Sequence, residues 1–287
     1  MAIKISNNNL ISLRKYFQAK LESAFDKQEI DSFFFYGLSY FLGISKLVYH
    51  TQPEKKISES DILKFRSLAK ELRKNRPLQY IFGECEFYGL TLKVDTNVLI
   101  PRPETEEMVA DIISKVEDPS VIVDFCTGSG CIALALKSHF SNSLVTGLDV
   151  SPEALKVARV NAAVNNLGVK FINDDLLSPK VSIKTIDLIV ANPPYVTNSE
   201  KSQMKPNVLD YEPKIALFVS DTDPLLFYNA IIKSNVKNLN RNGWVFMEIN
   251  EKFGAEVLSL LKKSGIKKNL RINNDLNGKP RWVCGQK

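Results

Sequence analysis

The residues best suited to chemistry are Ala191-Asn192-Pro193-Pro194-Tyr195, which follow the apolar run Ile186-Asp187-Leu188-Ile189-Val190. Asn offers a carboxamide oxygen as a hydrogen-bond acceptor, and the two prolines stiffen the backbone while contributing no N–H. The Pro193 carbonyl is left as a second acceptor, and Tyr195 adds a flat aromatic face. Two acceptors beside a ring suit a planar substrate carrying an –NH2 group, held by its two hydrogens while its nitrogen faces elsewhere. Asn-Pro alone is also an ordinary turn starter, so the meaning of this motif rests on its surroundings.

A second constellation is Asp124-Phe125-Cys126-Thr127-Gly128-Ser129-Gly130, with Asp149 downstream. The glycines let a ligand approach the backbone closely, with a helix N-terminus nearby. An acid about 20 residues on is where a ribose-binding carboxylate belongs. Gly128-Ser129-Gly130-Cys131-Ile132-Ala133 satisfies G-x-G-x-x-G/A, so a nicotinamide or flavin dinucleotide is a candidate, and so is a tight turn with no ligand. Asp124 would oppose a pyrophosphate but suits the ammonium of an amino acid. A dinucleotide also has no use for Asn192-Pro193-Pro194-Tyr195. A nucleoside with an amino-acid tail, S-adenosylmethionine, fits both acidic positions better.

Strands and helices must bring these residues together. From Ser120 onward strand and helix patterns alternate, which predicts an α/β domain with a doubly wound parallel sheet. Strands are expected over 121–125, 144–148, 169–172, 186–190 and 243–249, with two strand-like pieces around 270–272 and 281–284. Ligands of such sheets bind beyond the carboxyl ends of the strands, where all three motifs fall. Residues 1–75 are predicted to be a helical bundle, from the spacing of Leu10, Leu13, Phe17 and Leu21 and of Ile62, Phe65, Leu68 and Leu72. Ser58 and Asp61 resemble a capping box. Over 76–98 the period changes: Gln79-Tyr80-Ile81-Phe82 and 87–94 read as paired extended segments, a β-hairpin connector to the domain of 99–287. Pro101-Arg102-Pro103-Glu104-Thr105-Glu106 is a rigid turn into an acidic helix start, favoured by the helix dipole. A helix start does not explain Arg102 between two prolines.

Composition narrows the classes. The 287-residue chain carries a net charge of +6, which permits an acidic partner without requiring one. Cys85, Cys126, Cys131 and Cys284 form no C-x-x-C pair, and His50 and His139 are the only histidines. No metal is expected, and a reducing, cytoplasmic setting fits. The N-terminus lacks a signal-peptide pattern. The apolar stretch 32–49 has an uncharged part shorter than the ~20 residues of a membrane span, so no membrane is expected. No heptad or other oligomerisation signal appears, so a monomer is expected.

Asp-x-x-Thr-Gly-Ser-Gly, the acid Asp149 and Asn-Pro-Pro-Tyr together resemble amino-methylating S-adenosylmethionine-dependent transferases. Arg76-Pro77-Leu78-Gln79-Tyr80-Ile81-x-Gly83, Pro101-Arg102-Pro103-Glu104-Thr105-Glu106 and Tyr211-Glu212-Pro213-x-x-Ala216-Leu217 resemble the release factor glutamine methyltransferases (the PrmC/HemK family). The resemblance covers nearly the whole chain from Arg76, after a helical region of the size of that family's N-terminal domain. It implies a seven-stranded Rossmann-like methyltransferase domain. Cys126, Thr127, Gly128, Ser129 and Gly130 would wrap the methionine part of S-adenosylmethionine, near Asp124, and Asp149 would bind its ribose. Asp175 and Leu176 would border the adenine, Leu176 as an apolar wall. Asn192 and the Pro193 carbonyl would bind the side-chain amide of a glutamine, with Pro194 and Tyr195 beside it. The family's substrate is the glutamine of Gly-Gly-Gln in peptide chain release factors, and its helical domain recognises the rest of that protein, with no direct nucleic acid contact.

Two positions depart from the family pattern: Cys126 and Asn250 stand where glycine is usual. One rival is a nucleic-acid adenine N6-methyltransferase, which would need base flipping and a phosphate-binding surface; no concentrated basic stripe with interleaved aromatics is present. A second rival is a non-catalytic release-factor or ribosome binder, opposed by intact Gly128, Gly130, Asp149 and Asn192.

Overall fold

The computed structural model describes residues 7–287. The apolar spacing of the first part folds into five helices among the described residues: α1 (Leu10–Leu21), α2 (Lys27–Leu42), α3 (Lys46–Thr51), α4 (Glu59–Leu72) and α5 (Leu78–Phe82). Polar side chains start most of them. Asn9 accepts from the Ser12 amide, Asp26 from Gln28 and Glu29, and Ser58 from Asp61, each satisfying a first-turn donor that has no intrahelical partner. Phe17, Phe34 and Phe65 fill the centre of this bundle with ring centroids 5.4–5.8 Å apart. Helix α5 corrects the extended pairing expected over 79–82. So short an apolar run has no decisive period, and Pro77, whose carbonyl accepts from Ile81, starts a helical turn.

The chain divides into two compact units between Phe82 and Gly83, within the stretch 76–98. The second unit opens with a hairpin, β1 (Glu84–Phe87) and β2 (Leu90–Lys93). Then follow α6 (Pro103–Lys115), β3 (Val121–Phe125), α7 (Cys131–His139), β4 (Leu144–Asp149), α8 (Pro152–Val164), β5 (Lys170–Asn173) and β6 (Ile186–Ala191). The stretch after β6 contains β7 (Val196–Thr197), α9 (Pro206–Tyr211), α10 (Lys214–Leu217) and β8 (Phe218–Val219). The chain finishes with α11 (Leu226–Asn235), β9 (Leu239–Glu248), α12 (Gly254–Lys263), β10 (Lys268–Asn274) and β11 (Pro280–Gln286).

Seven strands form one sheet in the order β10-β11-β9-β6-β3-β4-β5. Its branched apolar runs are covered by helices, as a mostly parallel sheet requires. The expected parallel sheet holds except at β11, which runs against both neighbours. Asp187, the one acid in the apolar run of β6, accepts from the amides of Ser120 and Val121 and from Asn240. The chain reverses its direction of strand addition between β3 and β6, so a ligand crevice belongs at their carboxyl ends. No helix among the described residues is long and apolar enough to cross a membrane.

Candidate active site

Strand register brings the chemical residues into one row. Phe125 pairs with Leu148 and with Ala191, and Ala191 pairs with Met247. The next residue on each strand is therefore Cys126, Asp149, Asn192 or Glu248, on neighbouring strands about 4.8 Å apart. The first three are expected site residues. Above them lies a cavity of about 370 Å³ lined by Cys126, Gly128, Asp149, Leu176, Asn192 and Thr105 among others, a size typical of small-molecule sites.

The glycine turn forms the cavity floor. Gly128 has φ +53, and a Cβ built there meets nothing within 4 Å, so backbone conformation requires glycine while the space above stays open. Gly130 has φ +81 and packs within 3.2–3.3 Å of Phe171 and Ala158 by the same measure; it lets the turn lie on its neighbours. Cys126 takes φ 59, a left-handed conformation costing a non-glycine residue about 1–2 kcal/mol. That is the physical reason a glycine suits this position. Burial, reinforced by Asp149 and Asp124, raises the Cys126 thiol well above its ordinary pKa, so it serves as wall and not as nucleophile. Asn161, fully buried and unremarked in the sequence, braces the turn by donating to the carbonyls of Ser129 and Lys93.

Asp149 accepts from the amides of Gly128 (2.8 Å) and Ser151 (2.9 Å), one on each oxygen. Each oxygen retains a lone pair for a ligand hydroxyl. Burial raises its pKa, and these amides offset part of the rise. Asp175 and Leu176 line the cavity, and the neighbouring Asp174 organises that loop by accepting from Lys180 and Val181.

Asp124 lies beneath the turn and is not part of the cavity wall. It is fully buried, accepts from the Thr127 hydroxyl at 2.6 Å, and its Oδ1 has no hydrogen-bond partner. Burial lifts its carboxyl to about 7, against the Thr127 hydrogen bond. The folded chain thus holds this proton more tightly than the unfolded chain. The stabilisation is complete below the ordinary value of 3.8 and is lost as pH rises to about 7. Denaturant unfolding of the cofactor-free protein should show stability falling across that window by on the order of a few kcal/mol. Asp124→Asn should flatten the slope.

Asn192 donates from Nδ2 to Thr105 Oγ1 over a long 3.4 Å. Thr105 in turn donates to Glu248 Oε2 at 2.7 Å, and the Tyr195 hydroxyl donates to Glu248 Oε1 at 2.7 Å. Tyr195 thus points its polar end inward and packs its ring on the core; it is not among the cavity-lining residues, and neither is Pro193, whereas Pro194 is. Thr105 and Glu248 are each 1% exposed. Neither was singled out from the sequence, although Thr105 lies in the Pro101–Glu106 motif and Glu248 closes the apolar run of β9. Arg102 finds its reason here: its guanidinium meets Glu212 at 2.6 Å, and the buried Glu212 also accepts from the Ile100 amide. The two motifs around Arg102 and Glu212 are therefore halves of one clamp on the cavity rim.

Asn250, at the position where the resemblance implies a glycine, fills the space with hydrogen bonds. Its Nδ2 donates to the Tyr195 carbonyl (3.1 Å) and to Glu200 (2.8 Å), and its Oδ1 accepts from the Lys252 amide. Burial would raise the Glu200 carboxyl, but Lys252, Thr197 and Asn250 hold it down at about 2. Asn250→Gly should cost about 2 kcal/mol in denaturant unfolding and should lower turnover far less than changes at Asn192.

Residues 106–209 match the family described as Methyltransferase small domain, and residues 12–83 match the PrmC N-terminal domain. A release factor glutamine methyltransferase of Flavobacterium psychrophilum is 40% identical over 275 residues, 94% of this chain and 96% of that one. One from Bacteroides thetaiotaomicron is 35% identical over 273 residues, 95% and 98% of the two chains. Among solved structures, a methyltransferase from Pyrococcus furiosus aligns with a TM-score of 0.54 at 17% identity, over 76% of this chain and 98% of that one; it shows the shared fold. The likeness to the two bacterial proteins extends over more than nine-tenths of the chain and of each relative, and on this ground the chain belongs to the release factor glutamine methyltransferase family.

Proposed function

We propose that this protein transfers a methyl group from S-adenosylmethionine to the side-chain amide nitrogen of the glutamine in the Gly-Gly-Gln motif of peptide chain release factors. The observation that carries the proposal is the sheet row itself, which sets the Asn192 carboxamide one strand from the glycine turn on the wall of a single cavity. The residues present fit the cofactor. The space over Gly128 admits a chain close to the backbone, and Asp149 has lone pairs for a ribose diol. Leu176 gives an apolar wall for adenine. Asp124 acts through Thr127 and the turn. When bound, the cofactor supplies an electrophilic methyl group on a positively charged sulfur.

An amide nitrogen is a poor nucleophile because its lone pair is delocalised into the carbonyl. Asn192 Oδ1 and the Pro193 carbonyl accept its two hydrogens, which raises electron density on nitrogen and fixes its direction. Positioning and electrostatics therefore carry the rate. Tyr195 shapes this clamp from below, through its hydroxyl on Glu248, and Pro194 walls the cavity. The helical unit recognises the remainder of the release factor. The protein acts in the cytoplasm as a monomer, without a direct nucleic acid contact.

Mass spectrometry of a release factor incubated with enzyme and cofactor tests the proposal. One added methyl group on the Gly-Gly-Gln peptide is expected, and an unmodified peptide would contradict it. Calorimetric binding of S-adenosylmethionine separates an enzyme from a non-catalytic binder.

A further inference from the structure

We propose that Thr105 and Glu248 are positioning residues that set the orientation of the Asn192 carboxamide, turning its oxygen and not its NH2 group toward the amide to be methylated. The inference rests on the clamp role of Asn192 given above and adds to it the device that makes the clamp an acceptor.

A carboxamide flipped by half a turn has nearly the same shape but opposite chemistry. With its NH2 outward, Asn192 would face the substrate's NH2 group donor to donor. A proton inventory of the buried network selects the other orientation. Glu248 acts as an acceptor at both of its oxygens. Its Oε1 takes the Tyr195 hydroxyl and its Oε2 takes the Thr105 hydroxyl, each at 2.7 Å. Thr105 has one hydroxyl proton, and it is committed to Glu248. Toward Asn192, Thr105 Oγ1 can therefore only accept, and the group on Asn192 able to donate is Nδ2, at 3.4 Å. The carboxamide oxygen is left for the cavity side.

Burial gives the device its force. Glu248 and Thr105 are each 1% exposed, so water does not stand ready to replace a lost partner. Turning the Thr105 proton toward a flipped Asn192 would strip Glu248 of a donor in a low-dielectric interior, where an unpaired polar oxygen is costly. The Tyr228 hydroxyl on the Glu248 carbonyl, at 3.0 Å, fixes the backbone of the same residue. The network joins α6, β6 and β9 at one point, beneath the reacting amide and apart from the Asp149 end of the cavity.

The test uses the full chain with S-adenosylmethionine and an intact release factor, and compares Thr105→Val, Thr105→Ser and Asn192→Ala. Valine keeps the shape of threonine and removes the hydroxyl. Thr105→Val should lower kcat roughly 10²-fold, the scale of a misplaced reacting group, with cofactor affinity by calorimetry and KM for the release factor little changed. Thr105→Ser retains the hydroxyl and should restore most of kcat. If Asn192→Ala is inactive but Thr105→Val keeps full kcat, the positioning role is overturned and the clamp stands. If Asn192→Ala keeps its activity, the clamp itself falls. Equal damage from Val and Ser, or parallel loss of kcat and cofactor affinity in Thr105→Val, would assign Thr105 to packing and overturn the inference.

Discussion

Asn192→Ala is expected to lower the rate of methyl transfer by about 10³-fold, the upper range for removing one preorganised hydrogen-bonding group at a reacting centre, while cofactor affinity stays near that of the unaltered protein. The separation follows from geometry. Asn192 stands at the β6 end of the sheet row, whereas the glycine turn and Asp149, proposed to hold the cofactor, belong to β3 and β4. Removing the carboxamide takes away an acceptor for the substrate and leaves the Gly128 and Ser151 amides on Asp149 untouched. The structural cost is small, because Thr105 keeps its bond to Glu248; the loss of the long Asn192–Thr105 bond is worth about 1 kcal/mol or less. Single-turnover transfer and calorimetry on the same preparation check this. Equal loss of transfer and binding would argue that Asn192 belongs to the cofactor site instead.

Asp149→Ala should produce the converse phenotype: S-adenosylmethionine affinity falling at least about 100-fold, since hydrogen bonds to a charged group contribute about 1.5–3 kcal/mol each. Two effects add. In the proposed role the ribose loses its acceptors, and the amides of Gly128 and Ser151 lose the carboxylate that fixes the turn and the start of α8. The free protein should also unfold at lower denaturant concentration. At saturating cofactor, turnover should recover much further than in Asn192→Ala, because the substrate clamp is intact. Calorimetric titration reads the affinity directly, and a dissociation constant within a few-fold of the unaltered protein would remove Asp149 from the cofactor site.

What could be read from the sequence was local. The glycine turn, Asp149 and Asn192-Pro193-Pro194-Tyr195 each follow a short apolar strand, so a few neighbouring residues reveal both the motif and its place at a strand end. The helix start at Ser58 was legible for the same reason, since a cap acts over three residues. What stayed hidden acts across long separations. Thr105 and Glu248 are 143 positions apart, and Asn161 joins the hairpin to the glycine turn across 68 and 32. A buried acid at the end of an apolar strand was the available signal for Glu248. Asp124 shows a different limit: its type suggested a ligand contact, and spacing could not reveal its burial under the turn or its bond to Thr127. In the pair Asp174-Asp175, spacing gave no means of knowing which carboxylate would cap the following loop. Helix α5 was missed because five residues with two buried aromatics carry no clear period.

The most direct test of the central claim is methyl transfer from labelled S-adenosylmethionine to purified release factor, beside the same factor with its Gly-Gly-Gln glutamine replaced and a DNA or RNA control. Label on the unaltered factor alone is the expected result. Label on neither factor, with label on adenine in the nucleic acid, would contradict it and make this protein an adenine methyltransferase.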